Sequence, residues 1–349
     1  MTTFPPSPRS THGGDGGSPL RGSVFHTVPG SGRPFAWHGV ADVGVTASRQ
    51  RGVAIVLAMG VVALAAMAAT AILVSQSTWA RQRQLSNEHA QALLIVQAGV
   101  DWVRAVLSDD KRRSVVDHLG EPWALRLPPM PVDNGELAGH IEDQQGAFNL
   151  NNLVTNGKLD LAQLERLKRL LSLLDLPADL APALADWLDS DSEVQPQGGA
   201  EDAYYLSLDP PYLPANRPLL DVEELAQVRG FDAAVRARLK PYVTALPAAT
   251  AINVNTASAE VLAAVIEGLD LAAARDLVAG RDRAYFRDVA DFAVRLPKGI
   301  EPGNSAISVS SDYFLATLRV SFGDAQASGL ALLARPDAKW PKILWCKTL

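Results

Sequence analysis

The sequence predicts an α+β chain: one long N-terminal helix packed on a small antiparallel sheet, with a large all-α block inserted between the strands. Three observations carry this. An uncharged apolar run, Val53 to Ala80, passes directly into amphipathic helical periodicity. Strand-like alternation appears before residue 155 and again after Gly303. Between them, residues 155–303 form short helical segments separated by Gly and Pro.

Residues 1–52 are rich in Gly, Pro, Ser and Thr, lack periodicity, and read as a disordered leader. The leader is either extended or begun too early, with Val43 or Val45 as alternative starts. Residues 53–108 read as a transmembrane and amphipathic helix. A bilayer core needs about 20 apolar residues, and Val53 to Val74 supplies them before the interfacial Ser75 to Thr78. Arginines flank both ends (Arg49 and Arg51, then Arg81 and Arg83), so flanking charge does not set the orientation. From Trp79 to Leu107 the apolar positions Leu85, Leu93, Val96, Val100, Val103 and Leu107 recur at helical spacing and need a surface to pack on.

Residues 109–154 begin the β region: a Pro-rich stretch, Pro122 to Pro131, then a strand-like run, Glu136 to Glu142. In residues 155–303 the helices are Leu159 to Leu174, Ala178 to Leu188, Val222 to Gln227, Ala233 to Val243, Ser258 to Gly268, Leu271 to Ala279 and Val289 to Arg295. Residues 304–349 return to antiparallel strands, at Ala306 to Val309, Tyr313 to Phe322 and Ala327 to Ala334.

A formal net charge of −6 argues against a surface built to neutralise phosphate. The single cysteine, Cys346, excludes an intramolecular disulfide and is expected to be a small buried hydrophobe. All six histidines precede residue 141, no two at metal-ligand spacing, and no nucleophile-elbow or P-loop motif occurs. The expectation is a non-enzymatic protein.

Between Asp186 and Asp209 lie Asp186, Asp189, Asp191, Glu193, Glu201, Asp202 and Asp209, around Gly198-Gly199. Such a cluster is either a solvated acidic loop or a site for a hard cation, which needs several oxygen ligands. Tyr204, Tyr205, Tyr212 and the neighbouring prolines point to an ordered loop. EF-hand spacing is absent. The candidate metal ligands are Asp189, Asp191, Glu201 and Asp202, with Asp186 and Asp209 as weaker candidates.

Asn253-Val254-Asn255-Thr256-Ala257 resembles the opening of helix-hairpin-helix DNA-binding modules. The later Gly268-Leu269-Asp270 puts a carboxylate where a second glycine would hold phosphate, and residues 253–288 carry four Arg against six acidic residues. The motif is read as structural, with Asn255 or Thr256 capping a helix, and no nucleic acid is expected as a partner. Asn149-Leu150-Asn151-Asn152 is read as a similar device.

The junction Arg49-Gln50-Arg51-Gly52, followed by Val53-Ala54-Ile55-Val56-Leu57, resembles the processing site of the type IV pilin superfamily. This implies a pilin-like fold, cleavage between Gly52 and Val53 by a prepilin peptidase, and N-methylation of Val53. Most pilins carry Glu at the fifth mature position, where this chain has Leu57; the K-class minor pseudopilins share that departure. Further matches are Phe148-Asn149-Leu150-Asn151, the stretches Asp186 to Asp191 and Ala200 to Tyr205, Asp209-Pro210-Pro211-Tyr212, and Asn253 to Ala257. Together they make the chain similar to general secretion pathway protein K over nearly all of Val53 to Leu349. The resemblance implies a helical domain inserted in a pseudopilin fold and a structural Ca²⁺ in the acidic region. It also implies I-class and J-class minor pseudopilin partners at the tip of a periplasmic pseudopilus, and an inner-membrane secretion platform. The location implied is a single-pass inner-membrane anchor with a periplasmic body. The alternatives are a type IV pilus-like or DNA-uptake minor pilin, and a signal-anchored periplasmic binding protein.

Overall fold

The computed structural model describes residues 51–303 and 306–348; of the leader expected over residues 1–52, residues 1–50 lie outside the described residues, and Arg51 and Gly52 open the first helix. Helix α1 (Arg51–Arg113) contains the whole apolar run. Its stretch to Ala69 and the body from Thr70 onward are separate units, and the packing below lies within the second. Large side chains along Val53–Val74 stay exposed, Leu57 at 64 % and Leu73 at 66 %, as a lipid-facing helix requires. The sequence ends this helix at residue 108, but the structure carries it to Arg113. Lys111, Arg112 and Arg113 fill the last turn, where the helix dipole favours cations, and Arg112 and Arg113 both pair with Asp109.

A five-stranded antiparallel sheet follows: β1 (Leu127–Val132), β2 (Gly135–Asp143), β3 (Tyr313–Phe322), β4 (Ala325–Ala334) and β5 (Lys342–Thr348), ordered across the sheet as along the chain. Two of these strands escape the periodicity. Strand β1 lies in the Pro-rich stretch and is tolerated because it is an edge, where a missing N–H need not break a ladder. The alternation of β5 is broken by a register shift against β4 between Leu332 and Leu333. Cys346, expected to be buried, is exposed on β5 because an edge strand leaves one side uncovered.

The C-terminal half of α1 packs on this sheet. Ala92, Val96, Val100, Val103 and Leu107 are buried against Leu137, Ile141, Leu318, Val320, Ala327, Ala331 and Leu333. Each Val, Leu or Ile side chain among them contributes about 1.5–3 kcal/mol when fully buried, and each Ala less. Close approach depends on Gly329, where a Cβ would fall 2.4 Å from Val96 Cγ1. Trp123 closes one end, edge-on to Phe314 at 5.1 Å.

Strands β2 and β3 are neighbours, with Asp143 opposite Phe314, yet residues 144–312 separate them in sequence. That segment has its own core and comprises α2 (Leu161–Leu173), α3 (Leu180–Leu188), α4 (Asp202–Tyr205), α5 (Ala233–Leu239), α6 (Ala259–Val265), α7 (Leu271–Arg281) and α8 (Val289–Arg295). Val222–Gln227 is 3₁₀, and the run expected to reach Val243 leaves the α-helix at Leu239, with Pro241 in the following 3₁₀ turn. The expected strand Ala306 to Val309 shrinks to Ile307–Ser308. It pairs in parallel with Ile252–Asn253 instead of joining the main sheet.

Both ends of this segment meet in a buried polar junction. Asp143 Oδ2 accepts from Asn253 Nδ2, Thr256 Oγ1 and Ser311 Oγ at 2.9, 2.6 and 2.6 Å. The Asp117 carboxylate accepts from the Ser311 amide at 2.8 Å and from the Arg335 guanidinium. Arg335, fully buried in β4's continuation, also donates to Asp110 at 2.6 Å and to the Leu107 carbonyl at 3.1 Å. The end of α1, the exit of β4 and the return into β3 are thus tied to one cation. Removing one partner of such a pair leaves an uncompensated charge, at about 3–5 kcal/mol. Arg335→Met is therefore expected to lower unfolding free energy by that amount in urea titrations. Arg113→Met, whose pair is exposed, should cost less than about 1 kcal/mol.

Candidate metal site

Helix α3 is apolar on every side and ends at Asp189, its C-cap. Its last turn places Asp186 inward, fully buried, where both carboxylate oxygens accept from the Gln195 amide at 3.2 and 3.1 Å. Asp186 thereby folds the following loop back on the helix. Gly199 is required at the contact: a Cβ there would lie 2.4 Å from Asp186 Oδ2 and 2.5 Å from the Gln195 carbonyl.

The loop returns Glu201 toward Asp189. Asp189, Asp191 and Glu201 each place a carboxylate oxygen within 4.8 Å of the others. Asp189 and Glu201 are only 2 % and 3 % exposed. Asp189 Oδ1 and both oxygens of Glu201 are buried with no hydrogen-bond partner. A buried carboxylate without donors or a cation is costly. Burial, reinforced by Asp191 and Asp186, pushes the Asp189 carboxyl up to about 6. Burial and the same acidic neighbours push Glu201 up to about 7. A hard cation would satisfy these oxygens together, so the donor set fits one.

Asp202, Asp209 and Asp186 fall outside this group of three. Asp202 is exposed in the first turn of α4, where a carboxylate complements the helix dipole. Asp209 is exposed in the following turn. Asp186 is engaged with loop amides, and burial holds its carboxyl above the usual range. Asp191 is exposed and also accepts from the Glu193 amide at 2.8 Å.

An aromatic cluster braces the loop, as the tyrosines predict. Tyr205 is fully buried, with Trp187 and Tyr212 at ring distances of 5.1 and 5.4 Å. Arg229 went unnoticed in the sequence. It donates to the Gly199 carbonyl at 2.9 Å and lies over Tyr204 at 5.0 Å. A single arginine in a turn, 30 residues downstream of its partner, has no local signature. A second acidic group, Asp110, Asp117 and Glu121, is engaged by Arg335 and by Trp123 Nε1.

The Asn-rich motifs are scaffolding. Asn149 accepts from the Asn151 amide and caps a 3₁₀ turn. Neither Asn255 nor Thr256 caps α6, because Ser258 holds that position. Asn255 instead bridges to both backbone groups of Phe286, and Thr256 donates to Asp143. Asp270 caps α7 with its own carboxylate, accepting from the Ala273 amide at 2.8 Å.

Comparison with known proteins identifies this fold. Family models described as "Type II secretion system (T2SS), protein K" match residues 146–248 and 252–310, both within the segment between β2 and β3. The type II secretion system protein K of Pseudomonas aeruginosa is 37 % identical over 298 residues, covering 82 % of this chain and 89 % of that protein. That of Klebsiella pneumoniae is 33 % identical over 306 residues, covering 82 % and 93 %. The crystal structure of the GspK-GspI-GspJ complex from enterotoxigenic Escherichia coli contains a chain that matches with a TM-score of 0.67 at 28 % identity. The match covers 77 % of this chain and 99 % of that one. This chain belongs to the type II secretion system protein K family, the K-class minor pseudopilins that its sequence resembles.

Proposed function

We propose that the protein is the K-class minor pseudopilin at the tip of a type II secretion pseudopilus, working by assembly and without catalysis. The observation that supports this best is the placement of the family-matched residues between two neighbouring strands of a sheet that already carries its own long helix. The helix and sheet are the parts that a filament subunit needs. The added helical mass, read as a domain inserted in the pseudopilin fold, suits a tip, since a mid-filament subunit is packed on all sides. The solved relative lies in a complex with GspI and GspJ, which supports I-class and J-class partners here.

In this reading a prepilin peptidase cuts between Gly52 and Val53, and the new Val53 amine is methylated. Val53–Val74 anchors the mature chain in the inner membrane, the body is periplasmic, and an inner-membrane platform drives assembly. Leu57 avoids an unpaired carboxylate in the bilayer, as suits a subunit with no neighbour ahead of it. Intact-mass and N-terminal mass spectrometry of protein from native membranes tests this. The expected product starts at N-methylated Val53; a retained leader, or a cut beyond Val74, would overturn the assignment.

Asp189, Asp191 and Glu201 would hold Ca²⁺, which supplies positive charge to clamp the returning loop to the end of α3. Binding at a hundredfold excess over Kd stabilises by about 2.7 kcal/mol. For a domain of this size that is roughly 5–10 °C in melting temperature. Chelation of the purified full-length chain should lower its melting temperature by that amount. Glu201→Gln should abolish the calcium-dependent shift while Asp202→Asn retains it. An unchanged melting temperature on chelation counts against the clamp.

The pH dependence follows from the two raised carboxyls. Without the ion, Asp189 and Glu201 hold protons in the folded state that the unfolded chain releases near pH 4. Stability contributed at these sites therefore falls as pH rises from about 4 to about 7. Calcium favours the ionised forms and opposes that fall. Asp110, pushed up to about 6 by burial, and Asp143 and Asp186, also raised by burial, add to the decline in every variant. Melting curves of the chelated chain should therefore fall more steeply with pH in the parent than in Asp189→Asn/Glu201→Gln, and equal slopes would place the titration elsewhere.

A further inference from the structure

We infer that Trp79, Arg81 and Arg83 form a collar that binds the phosphate groups of anionic phospholipids on the periplasmic leaflet and sets the depth of the membrane helix. The inference rests on the anchor reading above and adds a lipid-binding site to it.

Helix length places the collar. A helix from Val53 to Trp79 has 26 steps, about 39 Å, against a bilayer of roughly 40–45 Å including its headgroups. With Val53 at the inner face, Trp79 falls in the outer headgroup layer, where amphipathic aromatic rings are favoured. The residues just before it are prepared for apolar surroundings. The hydroxyls of Ser77 and Thr78 both donate to the Val74 carbonyl, at 2.8 and 3.0 Å, so neither needs water.

The side chains match the ligand. Trp79 is 59 % exposed, with the Arg83 guanidinium over its ring at 4.2 Å. Stacking on an aromatic face leaves the edge N–H groups of a guanidinium free for bidentate contact with phosphate. Among the described residues Arg83 meets no carboxylate. Arg81 has only Asp324 at 3.8 Å, with both side chains largely exposed. Ser75, Gln76, Trp79, Ala80 and Arg83 line one shallow surface groove. The first acidic residue after Val53 is Glu88. Its carboxylate is engaged by Gln84 at 2.8 Å and by the Asp324 amide at 3.0 Å. The stretch thus presents two cations and an aromatic ring with no acidic residue of its own before Glu88, and Asp324 reaches only Arg81, across a largely exposed pair.

The test uses the full chain in vesicles of phosphatidylcholine, with or without phosphatidylglycerol. The Trp79 signal is the emission lost in Trp79→Phe. It is expected to be quenched more by nitroxide on the headgroup than by nitroxide at mid-chain. Spin-labelled phosphatidylglycerol is expected to associate several-fold more strongly than spin-labelled phosphatidylcholine, and Arg81→Gln/Arg83→Gln to remove that preference. These three residues are surface-exposed, so flotation and an unchanged melting curve report intact variants. A chain that does not float with vesicles would sink the anchor reading and the collar together. A chain that floats, but whose Trp79 answers only to aqueous quencher or shows no anionic preference, would overturn the collar alone.

Discussion

Two adjacent strands lie about 4.8 Å apart, so a segment as long as residues 144–312 can connect them only if its two ends are held together. The Asp143, Asp117 and Arg335 junction does this. Asp143 ends β2 and accepts from Asn253 and Thr256 inside the segment and from Ser311 at its return. Arg335 then links Asp117 to Asp110 near the end of α1. Because α1 buries its apolar face on the same sheet, one buried polar knot relates helix, sheet and intervening segment. The side chains of Asn149, Asn151 and Asn152 extend the principle inside the segment. They bond backbone groups near Leu219, Leu246 and Thr250 that no regular ladder satisfies.

Among the described residues, the buried carboxylates differ in the partners that satisfy them. Asp117 has a guanidinium. Asp143 has hydroxyl and amide donors, and burial still raises its pKa. Glu201 has neither on its two oxygens, and Asp189 has only the Asp191 amide and leaves Oδ1 without a partner, although their neighbours are acidic. Acidic residues alone do not mark a cation site, since Asp110, Asp117 and Glu121 cluster equally closely around a resident arginine. What sets Asp189 and Glu201 apart is buried carboxylate oxygen with no hydrogen-bond partner, which is costly to leave unpaired.

Legibility in the sequence followed the range of the physics involved. The apolar run, the helical stripe through Val96 and Leu107, and strand β3 depend on local periodicity and were readable from it. Strand β1 was hidden by Pro128, Pro129 and Pro131, which oppose a strand except at a sheet edge. The exposure of Cys346 likewise depends on β5 being the other edge. At the acidic loop, composition and spacing brought Asp189, Asp191 and Glu201 into view. They do not reveal that Asp202 opens α4 and is exposed there, outside the group of three.

By itself the sequence determined the elements whose signals are covalently local: an uncharged span too apolar to leave in water, the Gly52-Val53 junction, and the helices with their Asp caps. Each follows from side-chain chemistry at fixed offsets along the backbone. Tertiary structure alone decided which carboxylates lost their solvent, which arginine met them, and which strands became neighbours. Arg335 and Asp117 are 218 positions apart, and no short-range pattern encodes such a meeting. Burial depends on the whole fold, and so does the partner a buried carboxylate meets: Asp117 meets a guanidinium, whereas Asp189 keeps one oxygen with no hydrogen-bond partner.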